Sequence, residues 1–182
     1  VVVRYGLGEC LTKFDEKMNV VPWLAEKWEV SDDKLTWTFK IRDGVKFSNG
    51  HPLTAEAVKA SMERVFAKCT RASTFFEYAD MKADGQNLII TTKIPLPGMP
   101  GYLADPLFLV VDVQAEKDGR NFAKEGPICT GPYVVDSFVK EKTVMKKNAN
   151  YWDGAVPYET VEIPSIDDPN TEIGKASCRE RV

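Results

Sequence analysis

The sequence predicts an α/β protein with mixed α+β sheets, and three observations in one stretch support it. In residues 35–41 the apolar Leu35, Trp37, Phe39 and Ile41 alternate with Thr36, Thr38 and Lys40, the two-residue period of a half-buried strand. Two turn signals, Asp43-Gly44 and Asn49-Gly50, flank Val45-Lys46-Phe47, where the alternation resumes. Behind Pro52, Thr54 is placed to cap a helix on which Val58, Met62, Val65 and Phe66 form one apolar stripe.

The remaining elements follow in chain order. Residues 1–13 open with an apolar run that fits a helix end or a strand, and residues 14–21 read as a polar turn with Asp15, Glu16 and Asn19. From Pro22 to Pro127 strands are expected near Trp28 and at 35–41, 45–47, 88–93 and 107–113, with helices near 54–68 and 101–104. Asp84-Gly85 turns the chain into the 88–93 strand, and Pro95, Pro97, Gly98, Pro100 and Gly101 end it in an extended loop. The charged, glycine-containing residues 116–126 read as a mobile helix and loop. Beyond Thr130, strands are expected at 133–139, 143–147 and 161–166, with a turn at Tyr151-Trp152-Asp153-Gly154.

Composition narrows the function classes. The chain has 182 residues, 43% of them hydrophobic, enough for one or two packed domains. A net charge of −3 argues against nucleic acid or an anionic membrane as the main partner. No apolar run approaches the roughly 20 residues needed to span a bilayer. The four cysteines, Cys10, Cys69, Cys129 and Cys178, match no zinc or thioredoxin spacing. Cys10 and Cys129 read as small buried thiols, with a disulfide between them as the alternative in an oxidising compartment.

No catalytic constellation emerges, and no cofactor or metal site is expected. The single histidine, His51, has no partner near it in sequence and reads as a solvated turn residue. There is no G-x-G-x-x-G or Walker pattern. Asp32-Asp33 and Asp167-Asp168 read as turn carboxylates. Trp23, Trp28, Trp37, Phe75, Phe76, Tyr78 and Tyr102 read mostly as core, with a ligand groove as the alternative. Arg71 follows the main helix where no structural need for a guanidinium is evident. It can clamp a carboxylate bidentately, or it can be a solvated helix-end cation.

Four motifs in order add a family resemblance. Residues 36–65 (TWTFKIRDGVKFSNGHPLTAEAVKASMERV), Val21-Pro22-Trp23-Leu24-Ala25-Glu26-Lys27-Trp28, Cys129-Thr130-Gly131-Pro132-Tyr133 and Asn150-Tyr151-Trp152-Asp153-Gly154 resemble the signature segments of one protein family. It is the family of large extracytoplasmic solute-binding proteins of ABC importers for oligopeptides, dipeptides and nickel chelates. The resemblance implies a periplasmic-binding-protein-like fold, here part of a first lobe. Residues 1–13 and 128–171 would belong to a ligand-side subdomain and residues 14–127 to a supporting one. It implies a peptide or metal-chelate ligand, permease subunits in the membrane as partners, a monomer, no nucleic acid, and a periplasmic or otherwise extracytoplasmic location. A one-lobe fragment is expected to bind weakly or not at all. The alternative is a peptide-binding sensor or chaperone of the same fold, uncoupled from transport; the enzyme class is not expected.

In peptide-binding members the strand with the E-x-L motif runs beside the ligand, which places Glu9, Cys10 and Leu11 with Arg71 as the candidate binding residues. Main-chain pairing would follow strand-addition logic, and Glu9 would meet a positive ligand terminus. Cys10 departs from the small residues usual there. Residues 172–182 depart from the family pattern and resemble one reading frame of a common sequencing adapter, Lys175 excepted, so they are expected to be non-native.

Overall fold

Three antiparallel sheets organise the chain, and the computed structural model describes them over residues 6–139 and 142–164. β1 (Thr12–Phe14) and β2 (Val20–Pro22) form a short hairpin. β3 (Ala25–Val30) and β4 (Thr36–Ile41) begin the main sheet. Helices α1 (Ala55–Lys68) and α2 (Ala72–Phe75) then lead to β5 (Tyr78–Asp84) and β6 (Asn87–Thr92), giving the order β3-β4-β6-β5. Short turns of helix follow: α3 (Met99–Tyr102), a 3-10 turn (Pro106–Phe108), α4 (Val113–Lys117) and α5 (Phe122–Glu125). β7 (Tyr133–Phe138), β8 (Lys142–Lys147) and β9 (Thr160–Pro164) make the third sheet.

The core lies where α1 crosses the main sheet. Trp37, Phe39 and Ile41 of β4 face it, with Phe39 opposite Leu88 and Trp37 opposite Ile90 of β6. Val58, Met62 and Val65 close the other side, as their helical spacing predicts. Thr54 caps the helix by accepting from the Ala57 amide at 3.1 Å. The Trp37 indole N–H donates to the Leu96 carbonyl at 3.1 Å, so this ring is core with its one polar atom paired.

Three expectations need correction. Residues 45–47 bury Val45 and Phe47 but form no strand. Only Lys46 bridges, to Pro52, because the Asn49-Gly50 turn leaves no length for a ladder. Residues 107–113 are not a strand either. Asp105 accepts from the Leu107 amide and starts a 3-10 turn, and the apolar run then threads through the core, Val110 donating to Glu9 O at 3.0 Å and Asp112 to Ile128 O at 2.9 Å. β5 was not expected at all. It is an edge strand on which only Met81 is buried, so its charged residues hide the two-residue period. Gly85, at φ +58°, makes the tight connection from β5 to β6.

Loss of the Thr54 cap should cost about 1 kcal/mol. Thr54→Ala is therefore expected to lower the urea midpoint with an unchanged m-value. A midpoint equal to the parent's would show that the cap contributes nothing.

Candidate functional site

Glu9 is buried, at 1% exposed, and its carboxylate joins two distant motifs. Its Oε2 accepts from Thr130 Oγ1 at 2.6 Å and from the Trp152 indole N–H at 2.9 Å. Its Oε1 has no hydrogen-bond partner among the described residues. Burial pushes the Glu9 carboxyl above its ordinary range, against the lowering effect of the bonds from Thr130 and Trp152.

Around that carboxylate the other motifs interlock. Arg42 lies 4.8 Å over the Trp152 ring and donates to the Trp23 carbonyl. Asn148 donates to Gly131 O at 2.7 Å, and Asn150 to Ser48 O at 3.1 Å. Gly131 lies so close to residues 6 and 7 that a Cβ there would sit 2.5 Å from the Gly6 carbonyl oxygen, so only glycine fits.

Cys10 and Leu11 also point inward. Both are buried, Leu11 within the main core. The carbonyls of Glu9, Cys10 and Leu11 accept from Val110, from Leu24, and from Trp23 and Ala25, so the acceptor edge of this segment is occupied by the chain itself. The side chains expected to meet a ligand here are thus covered by the protein. Cys10 Sγ lies 3.4 Å from Asp105 O, and burial holds its pKa at about 12. The Cys129 thiol is raised for the same reason, and both cysteines are free thiols, so the disulfide alternative is not realised.

Arg71 is placed differently. It is exposed, its guanidinium lies 5.6 Å over the Phe75 ring, and none of the ion pairs among the described residues uses it. Phe75 meets Tyr102 edge-on at 6.0 Å and Phe108 at 5.5 Å, which ties this face to the core. Beyond Tyr102, Gly101 leaves space against Phe14 and Val20. Phe14 and Tyr102 are 44% and 37% exposed, so an unpaired cation borders an accessible aromatic shelf. The structure thus separates Arg71, on the surface, from Glu9, Cys10 and Leu11, in the interior. Arg71 and the groove alternative for Phe75 and Tyr102 point to this shelf from the sequence, whereas Phe14, far from them in the chain, gives no such signal.

His51 also departs from expectation. Its Nδ1 lies 2.8 Å from Asp112 Oδ2, which also accepts from Asn49 Nδ2 at 2.7 Å. The partner missing from its neighbourhood in sequence comes from the start of α4. Asp112 Oδ1 caps that helix at the Gln114 amide, so the carboxylate ties the 49–51 turn to α4. No three His, Cys, Asp or Glu side chains gather as a metal would need among the described residues. No helix among them is long and apolar enough to cross a membrane. Asp33 accepts from Ser31 Oγ and the Leu35 amide as a turn carboxylate, whereas Asp167, Asp168 and the 172–182 tail lie outside the described residues.

Comparison with known proteins gives a consistent picture. The model for bacterial extracellular solute-binding proteins, family 5 Middle, matches residues 19–176. The nickel-binding periplasmic protein of Escherichia coli (strain K12) is 31% identical over 172 residues, covering 90% of this chain and 32% of that protein. The glutathione-binding protein GsiB of the same strain is 32% identical over 164 residues, covering 86% and 32%. A crystal structure described as a nickel ABC transporter from Bacillus halodurans superposes with a TM-score of 0.87 at 34% identity, covering 98% of this chain and 37% of that one. The chain spans about a third of the length of the curated relatives it matches.

Two outcomes follow from the buried carboxylate. Trp152→Phe removes one of its two donors and should cost about 1–3 kcal/mol in urea unfolding. The pH dependence has a definite sign, because a carboxyl raised in the folded state stabilises the fold at low pH and loses that contribution as pH rises through its folded pKa. Glu9→Gln should therefore gain stability relative to the parent as pH rises above the ordinary glutamate pKa of about 4.3. A gap between the two proteins that stays constant with pH would contradict the raised carboxyl.

Proposed function

The chain belongs to family 5 of the bacterial extracellular solute-binding proteins, and we propose that it captures a small solute for delivery to the membrane permease of an ABC importer. The family match over residues 19–176 carries this reading. On this reading the protein works outside the cytoplasmic membrane, as a binding protein and not an enzyme. Two relatives named for nickel and for glutathione are almost equally similar, at 31% and 32% identity, so similarity does not choose the ligand. The reading therefore covers a peptide or a metal chelate.

Within this chain the ligand-contacting role falls to Arg71. Its guanidinium is exposed, held by the Phe75 ring and outside every ion pair among the described residues. Such a group can bind a ligand carboxylate through two parallel hydrogen bonds, and the Phe75–Tyr102 shelf beside it offers an apolar face. Glu9 contributes by positioning: it ties residues 6–11 to residues 130 and 152 and fixes the frame that carries the shelf. Capture would end with a second lobe closing over the ligand, a population shift that the permease reads. One lobe alone forms only part of those contacts and admits water, so it binds more weakly than two.

Calorimetric titration of the 182-residue chain with glutathione and with nickel–histidine tests this reading. The better ligand should lose about tenfold in affinity on Arg71→Gln, which corresponds to about 1.4 kcal/mol. A two-lobed relative titrated alongside should bind its own ligand more tightly than the chain binds either. Unchanged affinity in Arg71→Gln would remove Arg71 from the site, and affinity equal to the two-lobed relative's would remove the need for closure.

A further inference from the structure

A second concave region lies along the C-terminal half of α1, where that helix meets α4 and α5. It has two chambers that share Arg64 and Phe122, whose guanidinium and ring stack at 5.0 Å. The first chamber, of about 460 Å³, is bordered by Arg64, Lys68, Glu116 and Arg120. The second, of about 310 Å³, is apolar, with Pro106, Leu107, Leu109 and Val111 among its walls.

Three cations face one carboxylate in the polar chamber. Arg64 donates to both oxygens of Glu116, at 2.5 and 3.0 Å, and Lys68 reaches the same group at 2.5 Å. Those two partners hold the Glu116 carboxyl down at about 2, so its charge is constant at any pH where the protein works. Among the described residues no carboxylate pairs with Arg120: its Nε and Nη2 donate to the carbonyls of Gly126 and Glu125 at 2.9 and 2.7 Å. The guanidinium is thereby held in place while its positive charge stays uncompensated. The remaining acids of this loop are turned to other groups, Asp118 accepting from the Gln114 side-chain Nε2 and Glu125 from the Asn121 backbone N–H. Lys117 and Lys124 in the same loop offset their charge.

We infer that this two-chamber cleft binds a small amphipathic monocarboxylate, its head between Lys68 and Arg120 and its hydrocarbon tail across the Arg64–Phe122 stack onto Leu107 and Leu109. The head gains charge-assisted hydrogen bonds from a cation fixed in advance, so little ordering entropy opposes them. The tail leaves water for an apolar wall, and each methylene buried there adds to the affinity. A cationic head of the same length would meet three like charges. The inference does not rest on the transport reading, because it uses only side chains of this chain.

The test is an amide chemical-shift titration of the 182-residue chain with octanoate, acetate and octylammonium. Octanoate should shift the amides of residues 64–68, 107–111 and 116–123, bind about tenfold or more tightly than acetate, and surpass octylammonium by a similar factor. Lys68→Gln, at an exposed helix position, should weaken octanoate several-fold while the rest of the spectrum overlays the parent's. Arg120→Gln should weaken it more. Equal binding of octanoate and octylammonium, shifts confined to other residues, or full octanoate affinity in Arg120→Gln would each overturn the inference.

Discussion

The Glu9 carboxylate is the constraint on which the rest of the structure depends. A carboxyl group removed from water is costly, and one of its oxygens has no partner among the described residues. It is retained where one atom, Oε2, receives donors from Thr130 and Trp152, residues far from it and from each other in sequence. A hydrocarbon in the same place would avoid the desolvation cost but would not specify which two segments meet. The carboxylate accepts only a correctly aimed hydroxyl and indole N–H, so it fixes the register between the opening segment and the return of the chain. Gly131 enforces the same register sterically, since no side chain fits against Gly6 and Leu7.

This arrangement explains why the signature motifs identify the chain and yet say little about its ligand. Trp152 stacks under Arg42, Arg42 holds the Trp23 carbonyl, Asn150 holds Ser48, and Asn148 holds Gly131. Each recognisable segment thus contributes a group to one interlocked unit. Recognition of the family from these residues is recognition of a scaffold. The exposed Arg71–Phe75–Tyr102 face lies outside that interlocked unit.

Legibility in the sequence followed how local the determining physics is. β4 and α1 were readable because alternation and the helical stripe are set by one buried face each, and the Thr54 cap acts over three residues. β7, β8 and β9 were readable from their β-branched residues, among them Val134, Val135, Thr143, Val144, Val161 and Ile163, and not from a buried face. β5 was not, because an edge strand with only Met81 buried has no period to detect. Residues 107–113 misled because an apolar run can be buried without joining a sheet, once Asp105 turns it into the core. Of the candidate site, Arg71 was visible as a cation without a structural reason, whereas the inward aim of Glu9 depended on Thr130 and Trp152. His51 likewise took its partner from a residue 61 positions away.

The two carboxylates that organise this chain act in opposite electrostatic regimes, and the contrast bears on how a scaffold can tolerate a changing binding face. Glu9 meets neutral donors in a buried setting, so its cost is desolvation and its benefit is geometric specificity. Glu116 meets two cations near solvent, so it is ionised throughout and joins α4 to the end of α1 without a desolvation cost of that kind. The first holds the opening and returning segments together where no solvent competes. The second secures a peripheral loop through charges that water and salt can screen. Loss of Glu116 would therefore weaken one peripheral tie, while loss of Glu9 would remove the register between the opening and returning segments. Dry, directional bonds thus hold the frame of this chain, and screened charges secure its periphery.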